Sequence, residues 1–279
     1  MRDGGEKSAD RALICAAGLP FVALRTPLAR SHATLPLALR GEERHRPLSE
    51  GPVAEIDNRR PIKSREAGWA HRAAAALADA DADPNLISAA SFAFAALGAA
   101  MLLGAGMLEI VALRAVLLIG AAACIQLRLV CNLLDGMVAV EHGRGSPAGA
   151  IWNELPDRFS DVVLLAAAGY CAAGGGVMLA VETGWLCAAL ALLTAYIREL
   201  GRGLGFAADF SGPMAKPQRM AALTIACAVG ALEPLWGWRG QTLMIALIVI
   251  ALGTALTAYR RTRTLARRLA EKNPEGGNP

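Results

Sequence analysis

Residues 132–161 read NLLDGMVAVEHGRGSPAGAIWNELPDRFSD. Long apolar runs lie on both sides, yet this stretch sets Asp, Glu, Asn and Arg at helical spacing. Polar and ionisable groups at membrane depth are costly, so they mark a functional site. Asn132, Asp135 and Ala139 follow i, i+3, i+7 and share one helix face, with Arg128 one turn before Asn132. On the next helix Gly149, Asn153, Asp157 and Asp161 recur every fourth residue. Two helices that present carboxylates and amides to each other form an oxygen-rich cage, which suits hard cations such as Mg²⁺ or Mn²⁺.

The rest of the chain is built to hold this stretch at a bilayer surface. It has 279 residues, 54% hydrophobic and only 19% charged, with a mean hydropathy of +0.39. Soluble domains are usually more charged and less apolar. The six cysteines form no C-x-x-C pair and the four histidines no H-E-x-x-H, so a disulfide framework and a zinc centre are not expected.

Six apolar runs follow Pro84, at about 86–107, 110–131, 161–181, 185–205, 220–238 and 241–259. Each is near the length a helix needs to cross ~30 Å of hydrocarbon. The expected fold is an all-α integral membrane protein with six transmembrane helices. Residues 1–58 read as a disordered or misassigned N-terminal extension, with Val53 a candidate start. Residues 59–83 read as an amphipathic juxtamembrane helix with Trp69, Ala73, Ala76 and Leu77 on one face and basic groups toward anionic headgroups. Residues 84–260 form the six-helix domain and 261–279 a basic tail.

Charge sets the orientation. Arg65 and Arg72, then Arg144 and Arg158, then Arg202, Lys216 and Arg219, and finally five arginines in RRTRTLARR occupy alternate ends of the spans. The opposite loops hold only Arg239. The alternation places both termini and the 132–161 stretch on the cytoplasmic side of an inner (plasma) membrane.

These residues resemble the signature of the CDP-alcohol phosphatidyltransferase family, D-x-x-D-G-x-x-A-R-x(8)-G-x-x-x-D-x-x-x-D. Asn132, Asp135, Gly136, Ala139, Val140, Gly149, Asn153 and Asp157 stand at those positions with the spacing kept. The resemblance covers the six spans and reaches back to Arg59. It implies a homodimer that transfers a phosphatidyl-type group from CDP-diacylglycerol to an alcohol acceptor, releasing CMP, in phospholipid biosynthesis. It further implies that Asn132, Asp135, Asn153 and Asp157 hold Mg²⁺ or Mn²⁺, and that Asp157 takes the hydroxyl proton. Asp135, Gly136, Ala139 and Gly149 would line the nucleotide site. Arg198, Lys216 and Arg219 would hold the acceptor's phosphate, a task suited to basic groups. The expected partners are lipids and the acceptor, with nucleic acid not among them.

Three positions depart from the signature: Asn132 and Asn153 replace aspartates, and Val140 replaces the arginine. The remaining Asp135 and Asp157 halve the cage's negative charge, so the expectation is one tightly and one weakly held metal. Glu154 is turned ~100° from the third ligand position and Asp161 lies ~5.4 Å along its face. Asp161 and Arg128 are therefore auxiliary candidates, Arg128 replacing charge lost at Val140. The asparagines also motivate an alternative, a CDP-lipid-binding pseudoenzyme. A small transporter is the third reading. Charges gathered at one surface and the lack of paired broken helices argue against it.

Overall fold

The computed structural model describes residues 67–141 and 149–272, apart from the side chains at positions 140, 141, 150 and 153. The expected extension 1–58, the beginning of the juxtamembrane helix, Arg144, the Val140 and Asn153 side chains and the end of the basic tail lie outside the described residues.

Seven helices make up the described chain: α1 (Gly68–Asp79), α2 (Pro84–Met107), α3 (Val111–Glu141), α4 (Gly149–Ala173), α5 (Ala180–Gly203), α6 (Lys216–Gly230) and α7 (Gln241–Lys272). Asp83 caps α2 by accepting the Asn85 N–H at 2.8 Å, and Pro84 occupies the first turn, where no intrahelical N–H bond is lost. α2 packs on α3 and α4, α4 on α5, α5 on α7, and α6 on α3 and α7. Leu102, Leu118, Ile125, Leu164, Met220 and Leu247 are fully enclosed between them, among many alanines.

Small residues set the helix spacing. A Cβ on Gly169 would lie 2.5 Å from the Ala180 carbonyl oxygen, and one on Gly184 would lie 2.8 Å from that of Leu165. The α4 and α5 backbones touch there, as in helices that associate through small side chains. Large apolar side chains such as Leu86, Ile119, Leu186 and Leu252 point outward instead. Among the described residues four helices are long and apolar enough to cross a membrane: α2, Val111–Ala139 of α3, α5 and α7. This pattern suits an integral membrane protein.

The six expected runs are helical, as α2 to α7, but α4 and α6 are not among the helices long and apolar enough to cross a membrane, and the boundaries shift. α3 runs on to Glu141, and α4 starts at Gly149 and ends at Ala173. The polar residues between the apolar runs are helical too, and hydropathy alone cannot extend a helix through them. The fifth run is cut short. α6 has 15 residues, and a 3₁₀ turn, Glu233–Trp236, follows it. Pro234 has no N–H to continue a helix, and Gly237 takes a left-handed φ of 74°. Buried Glu233 accepts Arg114 at 3.1 Å and the N–H groups of Gly240 and Thr242 at 2.6 and 2.7 Å. It thereby satisfies free donors at the start of α7.

α1 also differs from expectation. Its buried stripe is Ala70, Ala74 and Ala78, the first two packing with Leu133, Leu134, Met137 and Val138 of α3. Trp69 and Ala76 are exposed, while Ala73 and Leu77 lie at the margin. In an alanine-rich helix several faces are apolar, and the one that permits the closest approach to α3 wins.

Candidate active site

The site forms where the last turns of α3 meet the first turns of α4, with α2 behind and α6 in front. Arg128, Asn132 and Asp135 descend one face of α3, and Asp157 and Asp161 stand one turn apart on α4. Lys216 and Arg219 come from the first turn of α6.

The loop before α6 fixes where those two cations enter. Gly212 has φ 125°, and its Cα faces Thr257 too closely for any side chain. Thr257 Oγ1 accepts the Met214 N–H at 3.0 Å, and Arg261 donates to the Ser211 carbonyl at 2.9 Å and the Thr194 carbonyl at 3.0 Å. Phe210 lies under the Arg198 guanidinium at 5.4 Å. α7 therefore holds the loop that delivers Lys216.

One polar network joins the helices. Arg128, with no exposed surface, donates to Asp161 Oδ1 at 2.8 Å and to Asp157 Oδ1 at 3.3 Å. Arg219 donates to Asp161 Oδ2 at 2.9 Å and to the Met214 carbonyl at 3.2 Å. Asn132 Nδ2 donates to Asp157 Oδ1 at 2.5 Å, while its oxygen accepts from Ser91 Oγ at 2.6 Å. Lys216 Nζ donates to Asp157 Oδ2, and Arg158 stands 3.8 Å from the same oxygen. Ser88 Oγ donates to Asp135 Oδ2 at 2.5 Å. A buried charge left without partners is strongly destabilising, so this degree of pairing is what lets the carboxylates stay inside.

In front of the network opens a cavity of about 610 Å³, with Trp69, Asn132, Asp157, Arg158, Arg198 and Lys216 in its wall. Gly136 and Arg219 reach the same wall. Glu154 binds Arg198 and, at 3.2 Å, Arg158; Glu199 binds Arg198 and Arg202 at 2.9 and 2.8 Å. Cationic heads thus ring the opening, and each is held by a carboxylate.

A metal cage between α3 and α4 needs oxygen lone pairs converging from Asn132, Asp135 and Asp157. The described geometry does not supply them. Asn132 turns its NH₂ toward Asp157 and its oxygen toward Ser91. Both oxygens of Asp157 face nitrogen donors. Asp135 Oδ1 is buried without a hydrogen bond and is the one carboxylate oxygen left open between these helices among the described residues. Among the described residues no three His, Cys, Asp or Glu side chains gather as metal ligands. As placed, Asn132, Asp135 and Asp157 do not form the two-cation cage that the signature implies; the side chain of Asn153, its remaining position, lies outside the described residues.

The structure thus gathers Arg128, Asn132, Asp135, Asp157, Asp161, Lys216 and Arg219 in one network, with Arg198 across the cavity. Ala139 is half-buried on α3, and Gly149 begins α4. Arg219 is 1% exposed, donates to Asp161 and the Met214 carbonyl, and has its Nε buried without a hydrogen-bond partner. Nothing in the sequence places Arg158 or Trp69 in the site, and Ser88 and Ser91 were not singled out for it. Ser88 and Ser91 at i, i+3 in an apolar run were the available signal, since such a pair shares a face.

No protein-family model matches the chain. It is 34% identical over 122 residues to the bifunctional IPC transferase and DIPP synthase of Rubrobacter xylanophilus, covering 44% of this chain and 25% of that one. It is 30% identical over 152 residues to the phosphatidylinositol phosphate synthase of Streptomyces avermitilis, covering 53% and 61%. The chain therefore spans a quarter and about three fifths of these curated relatives' lengths. Its fold matches the crystal structure of the Mycobacterium tuberculosis phosphatidylinositol phosphate synthase with CDP-DAG bound. The TM-score is 0.54 at 18% identity, over 71% of this chain and 94% of that one. The same synthase with manganese and citrate matches equally, with a TM-score of 0.54, over 70% and 88%. The chain is thus similar to these CDP-alcohol phosphatidyltransferases. The described helices share the fold of that synthase, and Asn132 and Asn153 stand where the signature has aspartates.

Proposed function

We propose that this chain transfers a phosphatidyl-type group from CDP-diacylglycerol to an alcohol, releasing CMP, as a step in phospholipid biosynthesis. The observation that carries the reading is Asp157. It stands in the cavity wall at the signature's last position, between Lys216 and the α3 face. The cavity is large enough for a nucleotide-sized ligand.

In the proposed step the alcohol oxygen attacks the lipid-side phosphorus, in line with the bond to the bridging oxygen. That bond breaks, and CMP leaves with the bridging oxygen and its electron pair. The hydroxyl proton passes to Asp157 Oδ2 as Lys216 turns from that oxygen to the diphosphate. General-base help of this kind is worth roughly 10²- to 10⁴-fold. Arg198 and Arg202 lie where an acceptor's phosphate would dock, which fits a phosphorylated alcohol such as the inositol phosphate that the relatives' names suggest. The expected Mg²⁺ or Mn²⁺ enters no step here, because the described donors do not fit it. Placement of the site at the cytoplasmic face of an inner membrane rests on the loop charges, and the homodimer on the family resemblance.

The test is CMP release from CDP-diacylglycerol by the purified full chain, with glycerol phosphate, inositol phosphate and serine as acceptors. Release with one of these acceptors, lost in Asp157→Ala, is expected; no release with any would defeat the transferase reading. A second reading, binding of a CDP-lipid without turnover, is favoured by one feature: Asp157 has a nitrogen donor at each oxygen. Binding of CDP-diacylglycerol without CMP release would select it.

A further inference from the structure

We infer that protein cations, led by Lys216, take the place of divalent metal in holding the diphosphate of a CDP-linked lipid. The chain then binds that ligand without a divalent cation. This rests on the reading of the cavity as a CDP-lipid site.

The argument is one of charge and geometry. Two carboxylates, Asp157 and Asp161, are contacted by three cations, Arg128, Lys216 and Arg219. With Asp135 included, the three carboxylates and three cations balance, and the further cation Arg158, 3.8 Å from Asp157, is shared with Glu154. A divalent cation arriving between α3 and α4 meets the Asn132 NH₂ and Asp157 and Asp161 oxygens already taken by nitrogen donors, with Asp135 Oδ1 alone open among the described residues.

The two kinds of cation have separate tasks. Arg128 has no exposed surface and Arg219 almost none, so they balance the carboxylates and do not reach a ligand. The Lys216 side chain is 20% exposed in the cavity wall. It is a compact ammonium with three donors on a flexible stem, able to swing from a carboxylate to a phosphate. Arg158 and Arg198, 17% and 13% exposed, stand beside it with forked donors suited to phosphate oxygens. A diphosphate on this wall finds a lysine and two arginines, where a four-carboxylate cage would have required metal to reverse its charge.

The experiment is calorimetric titration of the full chain in lipid nanodiscs with CDP-diacylglycerol, in EDTA and again in MnCl₂. Equal affinity in the two is expected. Lys216→Ala should weaken binding in EDTA about tenfold to a hundredfold, the scale of a hydrogen bond to a charged group. Lys216→Arg should keep most of the affinity and shows that the fold survives change at this position. Binding that appears only with Mn²⁺, or Lys216→Ala that binds like the wild type, overturns the inference and leaves the transferase reading standing. No binding in either condition overturns both.

Discussion

Arg128 and Asp161 form a pair inside the protein, 2.8 Å apart, with 0% and 1% side-chain exposure. Arg128 also reaches the Asp157 carbonyl at 3.2 Å, so one guanidinium fastens α3 to two turns of α4. Removing it leaves Asp161 with Arg219 alone in a site sealed from water. Arg128→Met should destabilise the protein by about 3–5 kcal/mol, the cost of breaking one side of a buried pair. Thermal unfolding in detergent would report it, and Arg128→Met/Asp161→Asn should cost less than the two single changes added together.

Asp157→Asn should separate chemistry from binding. CMP release should fall about a hundredfold to ten-thousandfold, as for loss of a general base. Affinity for CDP-diacylglycerol should hold or rise, because Lys216 loses the carboxylate that competes for it. A fall in affinity that matched the fall in rate would show instead that Asp157 serves to position the ligand.

The main axis of the fold was legible in the sequence because α2, α3, α5 and α7 are long apolar runs with few ambiguous residues. α6 was not. Residues 220–238 stay apolar through Gly230, Pro234 and Gly237, so hydropathy saw one span where backbone chemistry makes a short helix and a turn. The two rows of site residues were legible from helical phase, since Arg128, Asn132 and Asp135 needed only the 3.6-residue repeat. Lys216 was legible as a cation near phosphate. Its partner was not, because Asp157 lies 59 residues away and no local pattern records that distance. Ser88 and Ser91 were hidden by their size: in a run of alanines a serine reads as one more small residue.

Ser88 gives a third prediction. It donates a side-chain hydrogen bond to Asp135 Oδ2 at 2.5 Å. Ser88→Ala should cost about 1–3 kcal/mol, as for a buried acceptor stripped of its donor. Ser88→Thr, which keeps the hydroxyl, should recover part of it in the same melting experiment.

The α4–α5 contact predicts a steric effect with no polar component. Gly184→Ala puts a Cβ 2.8 Å from the Leu165 carbonyl oxygen, in a place where two backbones already touch. A loss of about 1–3 kcal/mol is expected, as for other overpacked interiors. Gly203→Ala, where nothing lies within 4 Å, is the matched control and should melt like the wild type.

The loop that carries Lys216 should respond to acid through Asp209. Burial works to raise its pKa, but hydrogen bonds from Ser211 and the charges of Arg261 and Arg268 outweigh that and hold it below the usual carboxylate value. A group depressed in the folded state adds stability above its unfolded pKa and loses it as pH falls through the folded value. Hydrogen exchange at residues 204–215 should therefore be faster in Asp209→Asn at neutral pH. The difference should shrink as pH drops below the ordinary Asp range; a difference independent of pH would count against the electrostatic account.

The Asn132–Asp157 bond also bears on how such a site changes over generations. Asparagine and aspartate codons differ by a single base, so reversion at position 132 is genetically near. Yet a carboxylate placed there would face Asp157 Oδ1 at the 2.5 Å now spanned by an amide donor, a contact that like charges resist. With Lys216 and Arg128 already committed to Asp157, an aspartate at position 132 would require those cations to be rearranged before it could be accommodated.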